Sequence, residues 1–248
     1  MTVERLTRPD GHEIAFRRER GTTPGIVFLI GFNSAMTGTK ATWLAERCHA
    51  EGRAFLRFDP FGHGESSGRL AEGTVGRWAA DAIAMIDALT EGPQLLVGSS
   101  MGAWIASLAA LARPQRVAGL VGIAAAPDFT RELIEPSLPP AAREALAREG
   151  VWLRPSAYGP NPYPISRLML EEAREHLLLP RRLRFDFPVR LLHGLADPDV
   201  PASLSLRLAH AIDGADVSVT LIPGGDHRLS SPADLDLLGR TIDQILAR

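Results

Sequence analysis

Apolar runs and helix-period segments alternate along most of the chain. Strand candidates lie at residues 25–30, 94–99, 117–124 and 189–193, several of them continuous hydrophobic runs, the pattern of strands covered on both faces. Further strand candidates lie at 12–18, 53–58 and 217–222. Helical periods between them predict helices at 40–50, 74–90, 101–113, 204–212 and 232–246. In the second of these, Ala79, Ile83, Ile86 and Leu89 share one face, with Arg77, Asp81 and Asp87 between them. Such alternation predicts an α/β domain on a doubly wound, mainly parallel sheet. The 248 residues suit one such domain, 1–248, with a modest insertion.

Residues 127–188 break the rhythm. This stretch has no strand pattern, is rich in proline, and contains helical segments near 141–148 and 165–179. Both tyrosines of the chain, Tyr158 and Tyr163, fall here beside Trp152. An insertion between two core strands is expected to form a lid over the carboxyl ends of the strands, where open α/β sheets bind ligands. Trp152, Tyr158, Tyr163 and Leu168 are the candidate pocket-lining residues.

Composition adds exclusions. A formal net charge of −2 gives no electrostatic case for nucleic acid or an anionic membrane. The single cysteine, Cys48, can form no intramolecular disulfide and no cysteine metal cluster. Arg113-Pro114-Gln115-Arg116 interrupts the most apolar region, so no membrane span is expected. Residues 1–20 do not read as a secretory or mitochondrial leader, and a reducing cytoplasm is the expected compartment.

The chemistry enters at Gly98-Ser99-Ser100-Met101-Gly102, between a predicted strand and a predicted helix. Strand, G-x-S-x-G, helix is the nucleophile elbow, a turn that lifts its central serine clear of the sheet. Only Ser100 has glycine two residues away on both sides; Ser99 has Val97 and Met101 there. A serine hydroxyl needs a base to take its proton and an acid to hold that base. In this arrangement the chain order is Ser, then Asp or Glu, then His. Asp197 and Asp199 follow the strand at 189–193, and Asp197 is preferred for lying nearer the strand end. His227 sits in the glycine loop after the last strand, while the other histidines lie before the elbow, within helices or at a strand end. The oxyanion donors are expected to be the backbone N–H groups of Met101 and Phe32, the latter in the turn after the strand at 25–30. The glycine-rich loop at 59–68 lacks the lysine of a phosphate-binding loop and the spacing of a dinucleotide fingerprint; it is expected to pack near the oxyanion turn.

With these residues in place the chain resembles the serine α/β-hydrolases. The nearer resemblance is to the mitochondrial palmitoyl-protein thioesterase and acyl-glucuronide esterase group of abhydrolase-domain proteins. Its matching pieces are Gly31-Phe32, Met36-Thr37-Gly38-Thr39-Lys40-Ala41, Arg57-Phe58-Asp59, Val97-Gly98-Ser99-Ser100-Met101-Gly102, Gly150-Val151-Trp152, Arg190-Leu191-Leu192-His193-Gly194, Val200-Pro201 and Asp226-His227-Arg228. The chain departs from that group at Ala103, where a second glycine follows the elbow. The resemblance implies a Ser100–Asp197–His227 triad acting on esters or thioesters of fatty or drug-like acyl groups, with no cofactor and no metal. The expected partner is a small-molecule ester or thioester, and a homo-oligomer is compatible with the sequence. An acyltransferase, a C–C bond hydrolase or a cofactor-free haloperoxidase would use the same three residues. A hydrolase-fold binding protein would commonly lack one of them. A haloalkane dehalogenase would carry aspartate at position 100.

Overall fold

The computed structural model describes residues 2–156 and 161–247. Strands β1 (Glu4–Thr7), β2 (Glu13–Glu19) and β3 (Thr22–Leu29) lead into helix α1 (Thr39–Glu51), β4 (Arg53–Phe58), α2 (Val75–Leu89), β5 (Gln94–Ser99), α3 (Met101–Ala112) and β6 (Val117–Ile123). A π-helical turn (Thr130–Ile134) then runs into α4 (Glu135–Ser137), α5 (Pro140–Glu149), β7 (Val151–Arg154), β8 (Tyr163–Ser166), α6 (Arg167–Glu172) and β9 (Leu183–Arg184). The chain finishes with β10 (Val189–Gly194), α7 (Ser203–Ala211), β11 (Ile212–Asp213), β12 (Val217–Ile222) and α8 (Pro232–Leu246).

Eight strands form the main sheet in the order β1-β2-β4-β3-β5-β6-β10-β12. The β1–β2 and β2–β4 pairs are antiparallel and the remaining pairs are parallel. The registers bring the carboxyl ends of the central strands to one edge: Leu29 lies opposite Gly98, Ser99 opposite Ile123, and Gly194 opposite Ile222. Both faces are covered, as continuous apolar strands require. One face buries Trp78, Met85, Trp104 and Leu208 from α2, α3 and α7. The other buries Leu44 and Cys48 from α1 and Leu238, Ile242 and Ile245 from α8. Removing an indole from a core costs ~3–5 kcal/mol, so fully buried Trp78 and Trp104 are principal anchors. Each also satisfies its N–H, Trp78 on the Phe61 carbonyl and Trp104 on the His176 carbonyl.

Local chemistry sets the helix ends. Ser231 and Asp234 form a reciprocal capping box at the start of α8, with Pro232 in the first turn. Thr74 caps α2 by accepting from the Arg77 N–H. Gly52, at φ +63°, ends α1 in the left-handed conformation.

The segment 127–188 departs from its expected shape. Where no strand was expected, β7 and β8 form an antiparallel ribbon with Trp152 opposite Ile165 and Arg154 opposite Tyr163. The single helix expected over 165–179 is shorter: α6 begins only at Arg167, because Ser166 caps it by accepting from the Met169 N–H, and a 3₁₀ turn (Ala173–His176) follows. Pro164 keeps the preceding residues extended. The two ends of the segment are tied together by buried Asp128, whose carboxylate accepts from the N–H groups of Leu178 and Leu179 at 2.8 and 2.9 Å. Glu172 reaches the N-terminus of α2, accepting from the Gly76 N–H at 3.0 Å. Among the described residues, no helix is long and apolar enough to cross a membrane.

Candidate active site

The turn from β5 into α3 holds Ser100 at φ +54°, ψ −119°, a conformation that costs of order 1–3 kcal/mol and persists only where neighbours enforce it. The neighbours do so by crowding. A Cβ on Gly98 would stand 2.4 Å from the Gly102 carbonyl oxygen, and one on Gly102 would stand 2.1 Å from the Leu29 oxygen. Both glycines are therefore demanded by close backbone approach. The Ser100 N–H donates to the Ile123 carbonyl at 2.8 Å, locking the elbow to β6. The Met101 N–H opens α3 and, as the first amide of a helix, has no intrahelical acceptor.

Asp197 follows β10 and His227 follows β12, so two neighbouring strands deliver them to the same edge. The His227 Nδ1 lies 2.8 Å from Asp197 Oδ2. A carboxylate accepts only, so Nδ1 carries a proton, and in the neutral ring the lone pair is then on Nε2. Oδ1 of Asp197 accepts from the N–H groups of Asp199 and Val200, each at 2.9 Å. The Asp197 side chain is 1% exposed. Burial acts to raise its pKa, but hydrogen bonds from His193, His227 and the Val200 N–H outweigh it and hold the carboxyl far below the usual range. His193 is itself buried; its Nε2 donates to the Val200 carbonyl at 2.9 Å and its Nδ1 accepts from the Ser205 hydroxyl at 2.7 Å. Asp199 is exposed on the same loop and lines the cavity described below. Donor atoms of Asp197, Asp199 and His227 lie within 4.8 Å of one another and could hold a cation, although the first and last already bond each other.

Ser100 and His227 line one cavity of about 450 Å³, within the range of small-molecule sites. Phe32 and Met101 line it too. The β3–α1 turn passes directly over the elbow: a Cβ on Gly31 would touch the Ser100 Cβ at 3.4 Å. The Phe32 ring packs edge-on against Trp78 and Tyr163, with centroids 5.7 and 5.8 Å away. The glycine-rich loop at 59–68 lies behind this turn as expected. Asp59 accepts from the Met36 N–H at 2.6 Å and the Glu65 N–H at 2.9 Å. His63, 3% exposed, accepts from the Asn33 N–H through Nε2 at 3.2 Å.

Of the four candidate pocket residues, Tyr163 lines the cavity. Trp152 instead packs half-buried against the core, Leu168 is 53% exposed on α6, and Tyr158 lies outside the described residues. Trp152 shares its ribbon face with Arg154 and Tyr163 but sits two residues nearer α5, where it meets the core while they reach the cavity. The apolar wall comes from Phe129, Leu133 and Ile134 in and before the π-helical turn, residues the sequence reading missed. The available signal was an aromatic close behind the carboxyl end of β6. Lys40, the only lysine of the chain, also lines the cavity. Its Nζ donates to the Arg228 carbonyl and, at 3.4 Å, to the Ser230 hydroxyl, tying α1 to the loop that bears His227. Burial pushes the Lys40 pKa down to about 8.

Burial has a measurable consequence at His63, whose pKa is pushed down to about 4 against weaker support from the backbone at Phe61 and Pro60. Between pH 6.5 and about 4 the unfolded chain binds a proton that the native fold refuses. Stability therefore falls on acidification through that window, by about 3 kcal/mol if His63 acts alone. Denaturant titrations at pH 6.5, 5.5 and 4.5 are expected to show this slope in the native sequence and a shallower one in His63→Gln.

The family described as serine aminopeptidase, S33, matches residues 23–178. A bovine relative, named mitochondrial palmitoyl-protein thioesterase ABHD10, is 42% identical over 246 residues, covering 99% of this chain and 80% of its own. The solved structure of mouse alpha/beta hydrolase domain-containing protein 10 superimposes with a TM-score of 0.90 at 40% identity, covering 100% of this chain and 99% of the other. That of a putative hydrolase from Agrobacterium vitis S4 gives 0.94 at 36% identity, covering 98% of each chain. The name of the bovine relative, like those of its mouse and rat counterparts, places it in mitochondria. This overturns the cytoplasmic location expected above, which rested on composition and on the first residues alone.

Proposed function

The chain belongs to the serine aminopeptidase S33 family of α/β-hydrolases, and on that premise we propose that it cleaves carboxylic esters or thioesters through a covalent acyl-enzyme on Ser100. The observation that carries the reading is the 2.8 Å contact of His227 Nδ1 with buried Asp197, at the rim of a cavity that also holds Ser100 in its strained turn.

In the first half-reaction Ser100 Oγ attacks the acyl carbon and its proton passes to His227 Nε2. Asp197 keeps the imidazole in the required tautomer and stabilises the imidazolium. The N–H groups of Met101 and Phe32 receive the oxyanion, each worth ~10²–10³ in turnover. The tetrahedral adduct collapses, the C–O or C–S bond breaks, and the alcohol or thiol leaves with the proton from His227. Water then attacks the acyl-enzyme, giving its proton to His227, and the carboxylate product frees Ser100.

Residues 127–188 serve as the lid of this site and supply the acyl-binding wall of Phe129, Leu133 and Ile134. An apolar wall of this kind suits a fatty acyl group, in keeping with the palmitoyl-protein thioesterase named among the relatives. A panel of p-nitrophenyl esters and acyl-coenzyme A thioesters of graded chain length tests the reading. Each methylene buried against the apolar wall is worth up to ~0.8 kcal/mol, so kcat/KM is expected to climb by up to ~4-fold per methylene until the cavity is filled. Absence of turnover with every activated ester and thioester, together with no fluorophosphonate labelling, would refute it.

A further inference from the structure

The turn proposed to carry the second oxyanion donor is short. Asn33, next to Phe32, sits at φ +54°, a left-handed conformation that asparagine tolerates better than most side-chain-bearing residues. Within the turn itself, the Ser34 N–H donates to the Gly31 carbonyl at 3.2 Å. The Asn33 N–H points out of the turn to His63 Nε2 at 3.2 Å. That bond fixes the peptide plane immediately after Phe32, while the Ser34 N–H, bonded to the Gly31 carbonyl, holds the one before it. Between them the Phe32 N–H is left directed by two anchored planes.

The imidazole is held as an acceptor by its other nitrogen. His63 Nδ1 lies 3.1 Å from the Phe61 carbonyl oxygen, which can only accept, so Nδ1 carries the proton and Nε2 a lone pair. Phe61 is itself immobilised. Its N–H donates to buried Asp81 at 2.9 Å, and its carbonyl also receives the Trp78 indole N–H at 2.9 Å. The His63 ring packs edge-on to Trp78 at 5.3 Å and to Phe32 at 6.1 Å. A chain of bonded groups thus runs from Asp81 on α2, through Phe61 and His63, to the turn over Ser100.

We propose that His63 is a positioning residue for the oxyanion site: its neutral imidazole accepts the Asn33 N–H and so aims the Phe32 N–H at the developing oxyanion. This rests on the serine hydrolase reading given above. His63 touches no substrate; it acts through the backbone of the turn. Burial, which keeps the ring unprotonated down to about pH 4, preserves the acceptor throughout the neutral range.

The test compares His63→Phe, which fills the space without an acceptor, with His63→Gln, whose amide oxygen can accept the Asn33 N–H. In His63→Phe, kcat for p-nitrophenyl butyrate is expected to fall ~10–100-fold with KM within about twofold, because an oxyanion donor acts in the transition state and not on the ground-state ester. Affinity for a trifluoromethyl ketone, which forms a tetrahedral adduct on serine, falls by the same factor. Affinity for the product carboxylate does not change. His63→Gln recovers a large part of both losses. A His63→Phe enzyme with unchanged kcat and ketone affinity would overturn the proposal, as would equal losses in both variants. Should His63→Phe fail to fold, ¹⁵N-imidazole spectra of the native protein decide. The His63 ring is expected as the Nδ1–H tautomer, with its Nε2 resonance shifting on ketone binding; an Nε2–H tautomer or no shift overturns it. Failure of the serine hydrolase reading looks different, since the native protein would then neither bind the ketone covalently nor label with fluorophosphonate.

Discussion

Ser100→Ala is expected to abolish p-nitrophenyl ester turnover and fluorophosphonate labelling while leaving the protein folded. No other group stands at the centre of the elbow: Ser99, its neighbour, belongs to β5 and lacks the flanking glycines. Removing the nucleophile of such a triad lowers kcat by ~10⁵–10⁶, the residue of activity coming from binding and the oxyanion donors. The fold should tolerate the change because alanine occupies the same backbone as serine at φ +54° and no side-chain cap of α3 is lost. Thermal unfolding within a few degrees of the native protein provides the control. Ser100→Gly is the useful companion, since glycine adopts that φ without strain. It should be as inactive as Ser100→Ala and at least as stable, separating the cost of the strained turn from its use. Retained labelling in either variant would mean that another nucleophile carries the chemistry.

The elbow was legible because every part of it is local. Strand, turn and helix are consecutive, and the glycines report a backbone approach that the sequence cannot hide. Asp197 and Asp199 lie two residues apart on one loop, and the sequence offers little beyond their distance from the strand end to choose by. The N–H groups of Asp199 and Val200 turn back onto Asp197 Oδ1 and leave Oδ2 for His227. The cavity walls were less legible for the opposite reason. Trp152 and Arg154 share one face of the β7–β8 ribbon, and only the position of the ribbon against the core decides which of them reaches the cavity; the proline-rich composition of that stretch concealed the strands altogether. Leu168 does fall in a helix, α6, but on its exposed side. Compartment left no trace in composition at all, and relatives supplied the correction.

The site's parts come from different strand ends, and each part has its own support. Ile123 on β6 holds the elbow, Asp81 and His63 stand behind the turn proposed to supply the second oxyanion donor, and Lys40 bonds the loop of His227. A parallel sheet makes this economical. Its carboxyl ends share one edge, so loops far apart in sequence converge without any strand having to reverse.

The sharpest division of roles is expected between Asp197→Asn and Asp199→Asn. In Asp197→Asn the amide can donate its N–H to His227 Nδ1, which then becomes the acceptor and leaves the proton on Nε2. An imidazole in that tautomer presents an N–H where Ser100 needs a base, and kcat is expected to fall ~10⁴-fold with little change in KM. The loss should persist at every pH at which the native enzyme works, because the native carboxyl, held far below its usual pKa, stays ionised throughout. Stability follows the same group with a definite sign. A carboxyl whose pKa is lowered on folding stabilises the native state above its unfolded value, near 3.8, and loses that contribution as pH falls toward its folded value. Asp197→Asn should therefore be less stable than the native protein at neutral pH and should close the gap under strong acid. Asp199→Asn has neither consequence: its side chain is exposed on the loop, and kcat should stay within about tenfold. Burst kinetics with p-nitrophenyl acetate and urea titrations at pH 7 and 3 measure both quantities on the same three proteins. A greater loss of kcat in Asp199→Asn than in Asp197→Asn would reassign the acid, and with it the hydrogen bond on which the tautomer of His227 depends.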